Sequence, residues 1–425
     1  MRGRRRRRSG NKTGKAKGAP GAPGAQGTGE RKAGQKAGHP GTGRLAPTHI
    51  DRTEDCRRSA CPDCQGPLTD EGVGATHTVE ELVLRVETTA YRCLDQHCPH
   101  CDKTWRAPLP PALGGAPKVG PNAQAVAMSL RFEHGVGVCA ISRIFSEVFE
   151  LPWSPGGLSQ MFERNLAKFA PAVTQIWTVA LDEALLHCDE TGWYQDGRRA
   201  WMHAATSVNL SVFAITDRRD RDSFELLVPS SYTGAVSSDD FVIYDHLPES
   251  RHPQCWAHVL RTARDLAEIH GNEADGRALT AIGAFLSAAK TQRAEPSASN
   301  RAAAVAAFEK VLTACFWATH KKLQALGRRL AKKRKRYLLC LDDPAIPLTN
   351  NQVERDLRFS VVARKVSYGT RNETGSVQWA DGVTLGQTLR KQGQSIRSWV
   401  PPALAAAQQG LPLPPVFRNR PPPPG

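Results

Sequence analysis

Hydrophobic and polar positions change rhythm along this chain, and the changes mark its elements. Over residues 122–180 apolar side chains recur at three and four: Val126, Met128 and Leu130, then Ile141, Ile144 and Phe145, then Leu158, Met161 and Phe162. That period predicts amphipathic helices. The turn at 151–157 between two of them suits a helix-turn-helix, although small helical bundles share the pattern. From Ala184 the texture becomes β: residues 185–193, 199–207 and 210–215 are short runs separated by turn signals, as in a three-stranded meander. A helix is predicted at 222–227, a fourth strand near 235–243, and a fifth near Gln254 that leads into a helix from about Trp256. Residues 256–340 read as almost wholly helical. Thr349 and Asn350 are helix-capping residue types placed ahead of Val353, Leu357 and Val361, spaced i, i+4, i+8.

Composition changes the picture at the two ends. The net charge is +16, and residues 1–50 hold thirteen Lys or Arg against Glu30 alone, in a Gly/Ala/Pro-rich stretch with almost no large apolar side chain. Such a segment cannot offset the entropy of ordering, so a disordered basic tail is expected there. It could neutralise phosphates without reading sequence, or serve only as a solubilising extension. The run Arg2–Arg8 is followed by no apolar stretch, so a secretory signal does not fit and a cytoplasmic location is expected. No apolar run approaches the ~20 residues of a membrane-spanning helix. Residues 395–425 decay into a Pro-rich tail.

Eleven cysteines in a cytoplasmic chain are not expected to pair as disulfides. Six precede residue 102, which turns attention to metal. Cys61-Pro-Asp-Cys64 and Cys98-Pro-His-Cys101 are two Cys-x-x-Cys knuckles. Four thiolates so arranged make the tetrahedral set of structural zinc. The alternating stretch 76–91 between them predicts a short β-ribbon, so residues 51–107 read as a zinc-ribbon-like module. Cys56, Cys93, His97 and His100 are alternative ligands, and unmetallated thiols are the plain alternative. A Pro/Gly-rich joint over 108–121 follows.

Phosphodiester chemistry needs an activated oxygen nucleophile and a stabilised leaving oxygen, and two divalent ions roughly 3.5–4 Å apart supply both. Carboxylates are the hard ligands such ions prefer. The predicted element order places Asp189 in the first strand, Asp239 at the fourth, and Glu354 in the first turn of the helix after the insertion. Asp239 to Glu354 is too long for one helix, and the helical insertion at about 260–345 accounts for the interval. Three acids alone are a weak signal; their flanks are more specific.

His187-Cys188-Asp189-Glu190-Thr191-Gly192-Trp193, with the turn Asp196-Gly197-Arg198-Arg199 and Trp201, resembles the first-aspartate block of insertion sequence 66-type transposases. Ser238-Asp239 through Tyr244 resembles their second-aspartate block, and Cys255-Trp256-Ala257-His258 follows as in that family. Thr349-Asn350-Asn351-Gln352-Val353-Glu354-Arg355-Asp356-Leu357-Arg358, with Arg364-Lys365 and Gly369, resembles their glutamate block. The resemblance spans roughly residues 56–410. It implies an α/β fold with a ribonuclease-H-like mixed-sheet core over 181–394, preceded by the zinc-ribbon-like module and a helical region at 108–180 that is a candidate for DNA binding. It also implies Mg²⁺ or Mn²⁺ dependence and action on the element's terminal inverted repeats and target DNA. Assembly as a homo-oligomer on DNA, with accessory proteins of the same element, is a further implication.

Carried over by position, Asp189, Asp239 and Glu354 become the catalytic metal ligands. Asp240 is a rival to Asp239, which is preferred because it lies five residues before Tyr244. Arg355, Arg358, Arg364 and Lys365 become candidate DNA contacts, with Arg358 also able to pair with Glu354 at i+4. His258 and Cys255 have zinc-like spacing but form one pair only, so a role beside the active site is expected for His258. The run 321–336 holds nine Lys or Arg and no acid, which suits phosphate contact or a solvated face. Rival readings are another nuclease on the same core and a DNA-binding relic.

Overall fold

The computed structural model describes residues 47–69, 72–73, 75–80, 82–110, 113, 119–270 and 273–418. The basic tail expected over 1–50 lies, up to residue 46, outside the described residues. The chain divides into two units, Met1–Val83 and Leu84–Gly425. Among the described residues, no helix is long and apolar enough to cross a membrane.

The cysteine-rich stretch corrects one expectation. No strand forms over the described part of 76–91; the hairpin is instead β1 (Asp95–Cys98) with β2 (Lys103–Arg106). Alternation predicts a strand only where a partner is available, and here the Cys98–Lys103 turn provides it. Asp95 and Arg106 face each other in register and close a 2.8 Å ion pair across the hairpin.

The larger unit is mixed α/β. Helices α1 (Pro121–Phe132), α2 (Val138–Glu147) and α3 (Pro155–Ala180) lead into a four-stranded sheet. Its strands β3 (Leu185–Gln195), β4 (Arg198–Thr206) and β5 (Ser211–Thr216) form the expected meander. Asp196 and Gly197 both take positive φ at the β3–β4 turn, the conformation a two-residue hairpin requires. After the short helix α4 (Arg221–Glu225) the chain crosses to β6 (Ala235–Ser237), parallel to β3. The sheet order β5-β4-β3-β6 leaves β3 in the interior. The fourth strand is shorter than expected, and the fifth is reduced to a single bridge between Ser238 and Gln254.

Helices α5 (Trp256–His270), α6 (Glu273–Ala294), α7 (Ala298–Phe316), α8 (Lys321–Lys332) and α9 (Arg334–Asp342) form the insertion. Trp256, Phe285, Phe308 and Tyr337 build it a core of its own, with the Trp256 and Phe285 rings 4.1 Å apart between centroids. Helices α10 (Asn351–Ser367), α11 (Glu373–Lys391) and α12 (Ile396–Gln408) then return to the sheet. Edge strand β5 would expose unpaired backbone groups, a liability in any sheet. Here Thr384 and Thr388, one turn apart on α11, accept from the amides of Phe213 and Ser211 at 3.1 and 3.2 Å. Gly382 on the same helix lets Phe132 of α1 approach where a Cβ would sit 2.3 Å from its ring.

Two expected boundaries do not separate cores. Helices α1 to α3 share the sheet's core rather than forming a separate module, and α3 buries Phe162, Phe169 and Ile176 in it. Within the Pro-rich tail expected over 395–425, residues 396–408 form helix α12, capped by Ser395, and its Trp399 packs edge-on against Phe169 at 5.0 Å; residues 419–425 lie outside the described residues. Proline at 401 and 402 masked the apolar spacing of Ile396, Trp399, Val400, Ala403 and Leu404. We predict that Trp399→Ala destabilises the full chain by about 3–5 kcal/mol in urea unfolding; a change below about 1 kcal/mol would show that α12 is dispensable to the core.

Candidate active site

Strand β3 lies inside the sheet and pairs with β4 at Asp189, two residues beyond the end of its pairing with β6, and the carboxyl there is partly buried. Burial is the largest influence on that carboxyl, followed by the negative charges of Glu190, Asp239 and Glu354. Together they push it up to about 8, against the pull of the Glu190 amide that donates to Oδ1 at 2.8 Å. Asp239 stands two residues beyond β6 and accepts from the Phe241 amide at 3.1 Å. Burial first, and then Glu190, raise it as well, while His258 and Arg219 act in the opposite sense. Asp189, Asp239 and Glu354 therefore share one electrostatic field, although they are remote in sequence.

Their acidic neighbours are occupied elsewhere. Asp240 pairs with Arg329 and Lys333 at 2.5 Å each and accepts from the Tyr337 hydroxyl at 3.3 Å, all from the insertion. Glu190 is a fully buried carboxylate held by Arg219 at 2.5 Å and by the Tyr244 hydroxyl. Arg219 in turn lies over the rings of Phe241 and Trp201 at 3.7 and 4.7 Å. Glu354, in the first turn of α10, meets His258 at 3.5 Å and Arg261 at 3.3 Å from α5. Among the described residues the i+4 pairing of Arg358 with Glu354 does not form, because these two groups take its place.

Asn350 ties the parts together. It occupies the N-cap position of α10, but its side chain does not cap the helix. Fully buried, it donates from Nδ2 to the Cys188 carbonyl at 2.7 Å and accepts from His187 at 2.8 Å. Its own amide donates to the Cys255 sulfur at 3.0 Å. The Cys255 amide donates to the Ser238 carbonyl at 3.1 Å, and the Trp256 amide to the Leu348 carbonyl at 2.9 Å. A continuous chain of bonds thus runs from beside Asp189, through the roots of the insertion, to beside Asp239, with Glu354 one helical turn past Asn350. Beneath it, His252 is buried between Arg336, which donates to Nδ1 at 3.0 Å, and Ser238 at 2.7 Å. Burial and the neighbouring Arg336 hold that imidazole down at about 3, so it is neutral.

The expected DNA contacts divide. Arg355, Arg358 and Lys365 are exposed on α10, whereas Arg364 leans on β3 with Nη1 at 3.4 Å from Thr191 Oγ1. Gly369, at φ +94°, follows α10 where a Cβ would lie 2.1 Å from the Tyr194 carbonyl oxygen, so the helix exit locks onto the β3–β4 hairpin. Cys255 is buried and accepts from the Asn350 amide, and His258 faces Glu354. The sequence reading missed Arg261, although its i, i+3 spacing from His258 puts both on one helix face. It also missed Arg219, which no spacing announced.

In the cysteine-rich stretch each knuckle has the same local geometry, read separately in its own unit. The Cys61 thiol is lowered by backbone amides of Cys64 and Asp63, and the Cys98 thiol by those of Cys101 and His100. Among the described residues, no three His, Cys, Asp or Glu are gathered closely enough to hold a metal ion, at the carboxylates or at the cysteines.

A family model described as "Transposase IS66 family" matches residues 118–378, more than half of the chain and a span that includes Asp189, Asp239 and Glu354. Two relatives from Sinorhizobium fredii are both called uncharacterized. Protein y4jO is 26% identical over 188 residues, 41% of this chain and 57% of the relative. Protein y4qI is 24% identical over 229 residues, 49% of this chain and 42% of the relative. The chain thus spans about half the length of these relatives.

The raised carboxyl of Asp189 makes a stability prediction for the metal-free protein. Its stabilising share is complete below the ordinary 3.8, and is lost as pH rises toward about 8, where the folded form must give up its proton. Asp189→Asn carries no such loss. We predict that its melting temperature exceeds that of the wild type by a few degrees at pH 8 in EDTA, and that the gap closes toward pH 4. A gap independent of pH would show that Asp189 is ionised throughout.

Proposed function

The chain belongs to the IS66 family of transposases, and on that premise we propose that it cleaves insertion-sequence ends and joins the freed 3′-hydroxyls to target DNA. The observation that carries this reading is the chain of hydrogen bonds through Asn350, which ties the strand of Asp189, the loop of Asp239 and the helix of Glu354 to one another. We read the sheet β5-β4-β3-β6 and its helices as a ribonuclease-H-like core, and the three acids as ligands of Mg²⁺ or Mn²⁺.

The donor chemistry fits such an ion. All three are hard oxygen ligands, and mutual repulsion among them is relieved by a bound dication rather than by a proton. Bound there, two divalent ions would activate the attacking oxygen and neutralise charge on the leaving one. The chain's own residues do the positioning. Asp189 is fixed by strand β3, Asp239 by the Phe241 amide, and Glu354 by the helix that Asn350 anchors. Arg261 pairs with Glu354 and His258 lies 3.5 Å from it, and both would be free to meet a phosphate once a metal ion held Glu354. Arg355, Arg358 and Lys365 offer exposed charge for DNA backbone beside α10, while Arg364 supports the strand of Asp189. We further propose that the Cys61/Cys64 and Cys98/Cys101 knuckles each supply two thiolates to structural zinc, since the amides aimed at Cys61 and Cys98 stabilise thiolate.

Labelled DNA carrying the element's ends tests the reading. Cleavage and joining are expected with Mg²⁺ and not with EDTA. Asp189→Ala, Asp239→Ala and Glu354→Ala should each lower cleavage by more than about 100-fold, beyond the loss of an outer partner. Asp240→Asn should stay within roughly tenfold of wild type, as a residue one step removed. Cleavage that survives the first three, or fails only with Asp240→Asn, would overturn the assignment; cleavage without joining would make the protein a nuclease. Zinc is expected by elemental analysis in the purified chain and should be lost in Cys61→Ser/Cys98→Ser.

A further inference from the structure

The nine cations of 321–336 are not one surface. Leu323, Leu326 and Leu330 bury one side of α8 in the insertion core and so fix how the helix is turned. Arg329 and Lys333 face Asp240, Lys333 and Arg336 face Asp245, and Arg334 pairs with Glu309. Arg329, Lys333 and Arg336 hold the insertion to the loop that follows Asp239, while Arg334 ties α9 to α7 within the insertion. The remainder, Lys321, Lys322, Arg328, Lys332 and Lys335, are exposed, and no acidic side chain pairs with them among the described residues. No acid occurs in sequence between Glu309 and Asp342, so the helix carries no counter-charge of its own.

Lys321, Arg328 and Lys332 are spaced seven and four apart and fall on one stripe of α8. At 1.5 Å per residue the stripe is about 16 Å long, close to five steps of a DNA strand at about 3.4 Å each. One end of it adjoins Arg329 and Lys333, which touch the immediate neighbour of Asp239. The other end leads to the turn where Trp317 is 80% exposed. An unpaired, evenly spaced row of cations leading away from the carboxylates, with an exposed indole at its far end, matches a nucleic-acid backbone better than a folded protein.

We propose that the outward stripe of α8 binds the phosphate backbone of duplex DNA flanking the cleaved position. The role of that DNA rests on the transposase reading, but the contact itself needs no catalysis. The test is therefore made in EDTA, by fluorescence anisotropy of the full chain on an element-end duplex over a range of salt. Lys321→Gln/Arg328→Gln/Lys332→Gln should weaken binding at least about tenfold near 0.1 M salt, and should flatten the log affinity against log salt slope by about 2–3, at 0.9 per phosphate lost. Its melting temperature should not change, because these side chains support nothing. The double variant Arg277→Gln/Lys290→Gln on α6 should leave the slope nearly unchanged, which separates a local contact from net charge. Wild type that binds with a slope unmoved by the triple variant would overturn the stripe and leave the transposase reading standing. Loss of slope in a protein that never cleaves would do the reverse. Failure of the wild type to bind duplex would overturn both, and weakened binding only to polyglutamate would assign the stripe to an acidic protein.

Discussion

A buried carboxamide must have its donors and acceptor satisfied, since leaving one unpaired costs on the order of 1–3 kcal/mol. Asn350 meets that requirement by reaching across to β3, and the arrangement of the site depends on it. Its bonds to Cys188 and His187 fix where α10 starts relative to the strand of Asp189. Its amide, through Cys255, fixes the same point relative to Ser238 and hence Asp239. The long helical insertion leaves and rejoins the core at this knot, which is how it can intervene between Asp239 and Glu354 without separating them.

Charge then decides which acids remain open to a ligand. Five carboxylates crowd the region, and three have a cation from the protein in ion-pair contact: Glu190 has Arg219, Asp240 has Arg329 and Lys333, and Glu354 has Arg261. Asp189 and Asp239 have none at that range among the described residues, and both are raised by burial and repulsion. The metal ions proposed above would supply the positive charge that these two carboxylates lack. The rival assignment of Asp240 loses ground for the same reason, because its oxygens already meet two cations of the insertion.

Much of this was legible in the sequence. The three acids stood out through their flanks, and the meander, the insertion and the glutamate helix followed from periodicity. What stayed hidden depended on tertiary contact. Asn350 reads as a helix cap because Asn favours that position, yet its side chain turned to a partner 162 residues away. The basic run read as uniform because spacing cannot reveal which lysines meet acids from another segment. The helix at 396–408 was obscured by two prolines, and alternation over 76–91 suggested a ribbon where no partner strand lies, while the hairpin forms at Asp95–Cys98 and Lys103–Arg106.

The most direct test of the central claim is anomalous diffraction from crystals of the full chain soaked in Mn²⁺. The account predicts manganese between Asp189 and Asp239, with Glu354 turned away from Arg261 and His258 toward the ion. Manganese at Asp240 or Asp245, or an ion site in which Glu354 keeps its contacts with α5 and takes no part, would contradict it.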